Sequence, residues 1–189
     1  NDVIVTTDDK EIAEVAKSHG AHIPFIRPIN LAEDLTTTEE TLKHALYEYE
    51  NLFGKVDLCV FLTCTDVFRK AEWLDQAIEI IIKEDSIESV FSGHKTHKNF
   101  WEHNISGDWV RLKDWMSQYS SRQVRKHIVR EDTGLCCVSR SYLWREGKRI
   151  GNKVKIIENN DVLTAIDIHT KEDLLIANTL LPLRLKGLI

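Results

Sequence analysis

The strongest constraint on the fold is the alternation of strand and helix patterns between residues 3 and 45. A short β-branched strand begins at Val3 and ends in a Thr-Thr-Asp-Asp cluster, which predicts the start of a helix that is closed by Gly20. A second strand is predicted over Ile23–Ile26. Because a strand, a helix and a second strand in this order form a parallel unit, the loops that follow the strands should meet at one edge of the sheet.

Charged residues follow both of these strands. Asp8 and Asp9 come after the first strand and Arg27 comes after the second, so we expect them at the edge where open α/β sheets bind ligands. The helix between the strands has a predicted apolar face made of Ile12, Val15 and Ala16. These residues alone indicate a nucleotide-binding α/β domain.

The rest of the chain continues the alternation of helices and strands. Thr37 followed by Glu40 fits a capping box at the start of a helix that ends at Phe53. Further elements are predicted as strand Asp57–Thr63, helix Trp73–Ile82, strands Ile87–Ser92, Leu135–Val138 and Val154–Ile157, and helix Lys171–Leu181. This order predicts an α/β fold with a doubly wound, mostly parallel sheet.

The segment between residues 93 and 132 differs in composition from the rest of the chain. It is rich in His, Lys, Arg and Trp and has little periodicity, which fits either a surface insertion or a dimerisation arm. Exposed tryptophans would favour the arm, because they are typical of interface anchors. We expect one domain over residues 1–181 that contains this insertion, followed by a tail over residues 182–189.

Composition and missing motifs argue against several classes of protein. The net charge is −5 with both signs interspersed, which argues against nucleic-acid binding. There is neither an apolar run long enough for a bilayer nor a signal-peptide pattern, so we expect no membrane contact and a cytoplasmic location. The four cysteines form no C-x-x-C pair, so we expect reduced, mostly buried thiols. P-loop, G-x-S-x-G, H-E-x-x-H and Rossmann G-x-G-x-x-G motifs do not occur.

Three stretches of the sequence resemble a known family. They are T-T-D-x-x-x-I-A-x-x-A-x-x-x-G-A from Thr6, R-P-x-x-L-A-x-D from Arg27, and I-D-I-H-T-K-E-D-L-L-I-A from Ile166. Together they are similar to the acylneuraminate cytidylyltransferases, which include the CMP-sialic acid synthetases. The resemblance implies transfer of CMP from CTP to the anomeric hydroxyl of an acidic nine-carbon sugar of the sialic, legionaminic or pseudaminic type, with release of pyrophosphate. It also implies a homodimer.

Two alternatives stay open at this point. One is nucleotidyl transfer to another sugar, and the other is a non-catalytic homologue that binds nucleotide or only dimerises. The resemblance also implies a preceding strand and a Gly-containing anion loop with an A-R-x-G-S-K-type signature, which does not occur in this sequence. We therefore expect an N-terminally truncated form that lacks these phosphate-binding groups, a loss that can leave the fragment inactive.

The resemblance assigns candidate residues for a divalent cation, Mg²⁺ or Mn²⁺. Asp167 matches the first carboxylate of the family's D-I-D metal motif, and His169 occupies the second position. Asp66 lies in T-C-T-D-V-F-R, where the family has Q-P-T-S-P-L-R, and it is a candidate to make up for the carboxylate missing at His169. The alternatives are a helix-capping role for Asp167, a solvent-facing His169 and a turn-forming Asp66.

The remaining candidates concern the nucleotide and the acceptor sugar. Asp8, Arg27 and Thr38 are predicted to face the nucleotide, and the alternatives are an exposed salt bridge for Arg27 and an ordinary first-turn position for Thr38. The predicted acceptor residues are Thr63, Lys98, Trp101, Arg122 and Arg130. The resemblance places Arg122 at the acceptor's carboxylate, across a dimer interface, and gives it a catalytic role together with Asp167. The alternative for Arg122 and Arg130 is that they are basic residues on a solvated loop without a binding role.

Overall fold

A computed structural model describes residues 2–121 and 123–189 of the chain. Its helices are α1 (Lys10–Ser18), α2 (Thr38–Phe53), α3 (Ala71–Lys83), α4 (Ser141–Arg145) and α5 (Lys171–Leu185). Its strands are β1 (Leu58–Phe61), β2 (Ser89–Thr96), β3 (Trp101–His103), β4 (Trp109–Arg111), β5 (Ile128–Glu131), β6 (Cys137–Arg140) and β7 (Val154–Asn159). The chain forms two compact units: unit 1 comprises residues 1–60, 78–90 and 138–155, and unit 2 comprises residues 61–77, 91–137 and 156–189.

The strands pair in the order β1-β6-β2-β5, and β7 also pairs with β2. Strand β5 is antiparallel to β2, with Gly93 opposite Glu131 and Thr96 opposite Ile128. Strand β6 runs opposite to both of its neighbours, as shown by the main-chain hydrogen bonds Ser141 N to Asp57 O, Thr63 N to Gly134 O, Arg140 N to Glu88 O and Ser92 N to Cys136 O.

The predicted α/β class is confirmed, but the strand directions differ from the prediction. The sheet is mostly antiparallel, whereas the sequence pattern indicated a mostly parallel sheet. The reason lies in the connections. In the described part of the chain, no α-helix lies between β2 and β5 or between β5 and β6, so these connections form no parallel crossover unit. Strand β2 pairs antiparallel with both β5 and β6. Strands β1 and β2 are joined through α3, and β6 lies between them.

In unit 1, the two predicted N-terminal strands are reduced to an isolated parallel bridge between Ile4 and His22. The segments still run side by side, because Arg27 N donates to Thr7 O at 2.8 Å. Prolines explain why the ladder is short. Pro24 and Pro28 have no N–H group to donate to a neighbouring strand.

Helix α1 begins where the sequence predicts it, with the side chain of Asp9 accepting hydrogen bonds from two first-turn N–H groups. The predicted apolar face is only partly correct. Ala16 is half-buried, but Ile12 and Val15 are 54% and 55% exposed, whereas Ala13 is 1% exposed. The buried side is therefore turned by one residue, which corresponds to about 100° around the helix.

Helix α2 confirms the predicted capping box, in which Thr37 and Glu40 satisfy each other's main-chain N–H groups. Its buried residues are Leu42, Ala45 and Leu46, and it packs against α4. Helix formation here follows from the cap and from one apolar face, as the sequence indicated.

Unit 2 contains a two-stranded antiparallel hairpin, β3 and β4, and the last helix of the chain. Helix α5 begins with a second capping box, between Thr170 and Asp173, and continues through Pro182 to Leu185, so the predicted tail is partly helical. The buried apolar residues of this unit are Phe68, Ala77, Phe91, Met116, Leu135, Cys136, Cys137, Ile157 and Ala177.

All four cysteines are free, and three of them are buried, as predicted, while Cys64 is exposed. Among the described residues, no helix has both the length and the apolar character needed to cross a membrane.

Candidate functional site

Main-chain hydrogen bonds in unit 2 bring three segments together. Thr63 N donates to Gly134 O at 3.0 Å, which joins the loop after β1 to the loop before β6. Ile168 N donates to Thr65 O at 3.2 Å, which joins the segment before α5 to the loop after β1. The predicted metal and acceptor residues Asp66, Asp167 and Thr63 therefore lie in one cluster.

Asp66 lies in this cluster with incomplete charge compensation. Thr63 Oγ1 donates to Asp66 Oδ2 at 2.5 Å. Burial raises the pKa of Asp66, and the negative charges of Asp167 and Asp132 raise it further, against the opposing effects of the Thr63 hydrogen bond and of Arg69. Asp66 thus interacts electrostatically with two further carboxylates, of which Asp132 is paired with Arg130, and the raised pKa shows that its charged form is only partly compensated.

Arg69 and Gly134 belong to the surroundings of Asp66. The Arg69 guanidinium donates to the main-chain carbonyls of Thr63 and Gly134. Burial lowers the pKa of Arg69, and the charge of Asp66 raises it. A Cβ atom at Gly134 would overlap Asp66 Oδ2 and would lie 2.5 Å from Thr63 Oγ1. A side chain at this position would therefore displace the ends of Asp66 and Thr63, because the carboxylate packs directly against the main chain of Gly134.

Asp167 has one oxygen that is paired and one that is not. Its Oδ2 lies 2.7 Å from His169 Nε2. Its Oδ1 is buried and has no hydrogen-bond partner among the described residues. The alternative that Asp167 caps a helix is wrong, because Thr170 caps α5 with Asp173. A buried carboxylate oxygen without a donor is available to a cation.

The geometry fits a cation that a substrate helps to bind. Among the described residues there is no group of three or more His, Cys, Asp or Glu side chains that could hold a metal ion on its own. Magnesium is commonly held by one or two carboxylates, with substrate phosphates and water completing the shell. Asp167, with its unpaired Oδ1, and the neighbouring Asp66 match this requirement.

Arg130, a predicted acceptor residue, is already paired. Its Nε and Nη2 donate to the two carboxylate oxygens of Asp132 at 2.6 and 3.1 Å, and this hydrogen bonding raises the pKa of Arg130. The pairing of Asp132 with Arg130 was not predicted from the sequence. Their spacing of two residues, at the end of β5, could have indicated that the two side chains form a bidentate pair.

The other predicted acceptor residues have different surroundings. Thr63 uses its hydroxyl to hold Asp66. Lys98 is exposed, and its main-chain N donates to Thr96 Oγ1. Trp101, on the β3–β4 hairpin, is 46% exposed. Arg122 lies outside the described residues.

The predicted nucleotide-binding residues lie in unit 1. Arg27 Nη2 donates to Asp8 Oδ1 at 3.2 Å, which confirms the predicted proximity of these residues and also matches the alternative of a salt bridge. Both side chains are partly exposed. Thr38 is the first residue of α2, and it is half-buried.

Comparison with known proteins identifies the family. The Cytidylyltransferase family model matches residues 1–184. The chain is 25% identical to the CMP-N,N'-diacetyllegionaminic acid synthase of Legionella pneumophila, over 100% of this chain and 81% of that protein. It is 22% identical to the N-acylneuraminate cytidylyltransferase of Escherichia coli, over 94% of this chain and 41% of that protein.

A solved structure supports the same fold. The CMP:2-keto-3-deoxy-manno-octonic acid synthetase complexed with CTP matches with a TM-score of 0.64 and 12% identity, over 97% of this chain and 82% of that one. At this identity the match concerns the fold alone. The family model spans all but the last residues of the sequence, and the chain therefore belongs to the cytidylyltransferase family.

Proposed function

We propose that the protein transfers CMP from CTP to an acidic nine-carbon sugar of the sialic, legionaminic or pseudaminic type, with release of pyrophosphate. The observation that carries the proposal is the family match over residues 1–184. The names of the relatives supply the acceptor class, because one is a legionaminic acid synthase and another is an N-acylneuraminate cytidylyltransferase.

The reaction is a single in-line displacement. The anomeric hydroxyl oxygen of the sugar forms a bond to the α-phosphorus of CTP, and the bond from that phosphorus to the oxygen of the β-phosphate breaks. Pyrophosphate leaves with the bonding electrons, and the hydroxyl proton passes to solvent. The protein needs to position both substrates and to offset negative charge, and no covalent intermediate with the protein is required.

A divalent cation, Mg²⁺ or Mn²⁺, belongs to the proposal, with Asp167 and either His169 or Asp66 as the residues that would hold it. When bound, it would neutralise charge on the phosphate oxygens of the nucleotide. Thr63 donates to Asp66, Gly134 packs against it, and Arg69 binds the main-chain carbonyls of both Thr63 and Gly134. His169 replaces the second carboxylate of the family motif, and imidazole suits manganese better than magnesium. We therefore expect Mn²⁺ to support turnover at lower concentration than Mg²⁺.

We assign the binding of the nucleotide and of the acceptor to the residues that the resemblance indicated. Arg27, oriented by Asp8, has further N–H donors for a phosphate or for the base, and Thr38 offers a hydroxyl. Lys98, Trp101, Arg122 and Arg130 are assigned to the acceptor. Because CTP is a cytoplasmic metabolite, the reaction is placed in the cytoplasm.

A homodimer is also part of the proposal, supported by Trp101 and Trp109 on the β3–β4 hairpin, which are 46% and 64% exposed. Light scattering coupled to size-exclusion chromatography tests it. The wild type should have twice the mass of a monomer, and Trp109→Ala should shift the mass toward that of the monomer. A monomeric wild type at all concentrations contradicts the dimer.

The decisive assay measures pyrophosphate release with CTP and a panel of acidic and neutral sugars, each with Mg²⁺ and with Mn²⁺. Turnover only with acidic nine-carbon sugars is the expected result. Turnover with another sugar class would reassign the acceptor, and CTP binding without any turnover would favour the non-catalytic homologue. Asp66→Asn should raise the cation concentration needed for half-maximal rate, and an unchanged value would remove Asp66 from the cation site.

A further inference from the structure

Asp161 is an ion-paired carboxylate that contacts three segments of unit 2. It lies between β7 and the short 3₁₀ turn Val162–Ala165. Its Oδ1 accepts a hydrogen bond from the main-chain N of Leu163 at 3.1 Å. Its Oδ2 accepts one from the guanidinium of Arg184, in the last turn of α5, and lies 3.5 Å from Nζ of Lys70, in the loop after β1. One side chain therefore joins this turn to α5 and to the loop after β1.

Asp161 is itself held in place by its surroundings. Its side chain is 13% exposed. Its main-chain N donates to Asn159 Oδ1 at 2.8 Å, and its main-chain carbonyl accepts from Thr164 Oγ1 at 2.7 Å. Burial raises the pKa of Asp161, but the hydrogen bonds from Arg184 and from the main-chain N of Leu163 outweigh this effect and lower the pKa. The carboxylate is therefore charged at neutral pH and fixed in position.

The loop after β1 and the segment before α5 are joined at two points. One link is the ion pair of Lys70 with Asp161, and the other is the hydrogen bond from Ile168 N to Thr65 O at 3.2 Å. Two of the carboxylates proposed for the cation, at positions 66 and 167, lie between these links along the chain. The separation of the two carboxylates therefore depends on both links.

These two carboxylates need to be held apart by the segments that carry them. Burial is the largest cause of the raised pKa of Asp66, and the negative charge of Asp167 adds to it, so the two groups repel each other. Asp167 Oδ1 has no donor in the described part of the molecule. Mg²⁺ requires a near-ideal octahedral shell with ligands at about 2.0–2.1 Å, whereas Ca²⁺ accepts a flexible shell at about 2.3–2.6 Å. A change in the separation should therefore weaken binding of Mg²⁺ more than binding of Ca²⁺.

We infer that Asp161 is a positioning residue, which sets the separation of Asp66 and Asp167 through Lys70 and through the turn that precedes Asp167. The inference rests on the proposed function, because it concerns the same cation site. Since Asp161 does not act on the reacting atoms, its loss should raise the cation requirement and leave the rate at saturating cation unchanged. A residue that only stabilised the fold would leave the preference between cations unchanged.

Glu50→Gln is the matched control for Asp161→Asn. Each carboxylate binds one Arg, one Lys and one main-chain N–H group, which at Glu50 come from Arg145, Lys55 and Val56, but Glu50 lies in unit 1. Calorimetry measures binding of the Mg²⁺ and Ca²⁺ complexes of CTP, without acceptor, so that no transfer occurs. Asp161→Asn should weaken binding of the Mg²⁺ complex by about tenfold and that of the Ca²⁺ complex by less than about threefold. Glu50→Gln should change neither by more than about twofold.

Steady-state kinetics and further variants extend the test. In Asp161→Asn, the Mg²⁺ concentration for half-maximal rate should rise about tenfold, and kcat at saturating Mg²⁺ should stay within about twofold of the wild type. Lys70→Gln keeps the pair of Asp161 with Arg184 and should weaken binding of the Mg²⁺ complex by about threefold, because the Lys70 side chain is 43% exposed. Combined with Asp161→Asn, it should cause no further loss, since both substitutions remove the same link. Asp161→Glu keeps the charge and should recover most of the affinity.

The outcomes separate the positioning role from the proposed function. Equal losses for the Mg²⁺ and Ca²⁺ complexes, or unchanged binding by Asp161→Asn, would overturn the positioning role and leave the proposed function intact. If Asp161→Asn does not fold, binding of the Mg²⁺ complex by Lys70→Gln as tightly as by the wild type would overturn it. A preference for Mg²⁺ that depends on Asp161, in a protein without turnover on any acceptor, would defeat the proposed function and leave the positioning role standing.

Discussion

The Glu50 side chain in unit 1 is 5% exposed and Asp66 in unit 2 is partly buried, yet their surroundings shift the pKa values of the two carboxyl groups in opposite directions. The Glu50 carboxylate accepts hydrogen bonds from Arg145 at 2.5 and 3.2 Å, from Lys55 at 2.6 Å and from the main-chain N of Val56 at 3.3 Å. Its hydrogen bonds with Arg145 are the largest cause that lowers its pKa to about 2. Burial, by contrast, raises the pKa of Asp66, which has a single hydroxyl donor on Oδ2.

The contrast separates a carboxylate that stabilises the fold from carboxylates that are suited to bind a ligand. Around Glu50, protein donors supply the compensation that burial of a charge requires. Asp66 and Asp167 lack this compensation, and Asp167 Oδ1 has no donor among the described residues. An incompletely compensated pair of carboxylates destabilises the unliganded protein and favours a cation. Substitutions in unit 1 should therefore change stability, and substitutions in unit 2 should change the response to cations.

Asp167→Asn should have the largest effect on activity. The amide keeps the size of the side chain but removes the charge that would hold the cation, so we expect turnover to fall on the order of 10³-fold. The thermal midpoint should stay within about 2 °C of the wild type, because the lost group is incompletely compensated in the unliganded protein. Pyrophosphate release and thermal unfolding measure the two effects. Asp108→Asn, in the exposed turn of the hairpin, is the control for the loss of a surface carboxylate.

Glu50→Gln should show the opposite pattern. The amide has no charge and keeps only one of the two acceptor oxygens, so the donors of Arg145 and Lys55 are only partly satisfied. We expect the free energy of unfolding to fall by about 2 kcal/mol. This is less than the value for a fully buried pair, because the Lys55 and Arg145 side chains are 77% and 38% exposed and can be solvated again. Urea unfolding gives the free energy. The cation concentration for half-maximal rate should not change, and an increase would contradict the division between the units.

The stabilisation from Glu50 should also depend on pH. Its pKa falls from an ordinary value of 4.5 to about 2 in the folded protein. A lowered carboxyl pKa gives stability that is fully present above the ordinary pKa and is lost as pH falls through the folded value. The difference in unfolding free energy between the wild type and Glu50→Gln should therefore be constant above pH of about 5 and should shrink toward pH of about 2. A difference that stays constant down to pH of about 3 would contradict the role of the ion pair.

The sequence predicts local features better than it predicts pairing. Caps at Thr37 and the start of α1 at Asp9 were predicted correctly, since capping depends on residues within four positions of each other. The relative directions of the strands were predicted wrongly, because β6 comes from a distant part of the chain and lies between β1 and β2. The same limit applies to the site. Asp66 and Asp167 were predicted from motifs, whereas the roles of Gly134 and Asp132 depend on contacts between separate loops.

Gly134→Ala should disturb the cation site through packing alone. The new Cβ would overlap Asp66 Oδ2, so the carboxylate must move and its hydrogen bond with Thr63 must lengthen. We expect the cation concentration for half-maximal rate to rise by about fivefold and the unfolding free energy to fall by about 1 kcal/mol. Gly151→Ala in unit 1 is the matched control, because its Cβ would lie 2.5 Å from Glu88 Cβ. It should lower stability to a similar extent without any change in cation dependence, and equal shifts in both variants would contradict the assignment.

Thr63→Val should have the smallest effect, because it removes one hydroxyl and keeps the shape of the side chain. Loss of the hydrogen bond to Asp66 Oδ2 should raise the half-maximal cation concentration by about threefold, which corresponds to less than 1 kcal/mol. The effect is small because a bound cation would itself compensate the carboxylate. Thr63→Ser retains the donor and should behave like the wild type. If Thr63→Val instead stabilised the protein and left cation dependence unchanged, Asp66 would be an ordinary buried carboxyl, and the contrast with Glu50 would reduce to a difference in packing.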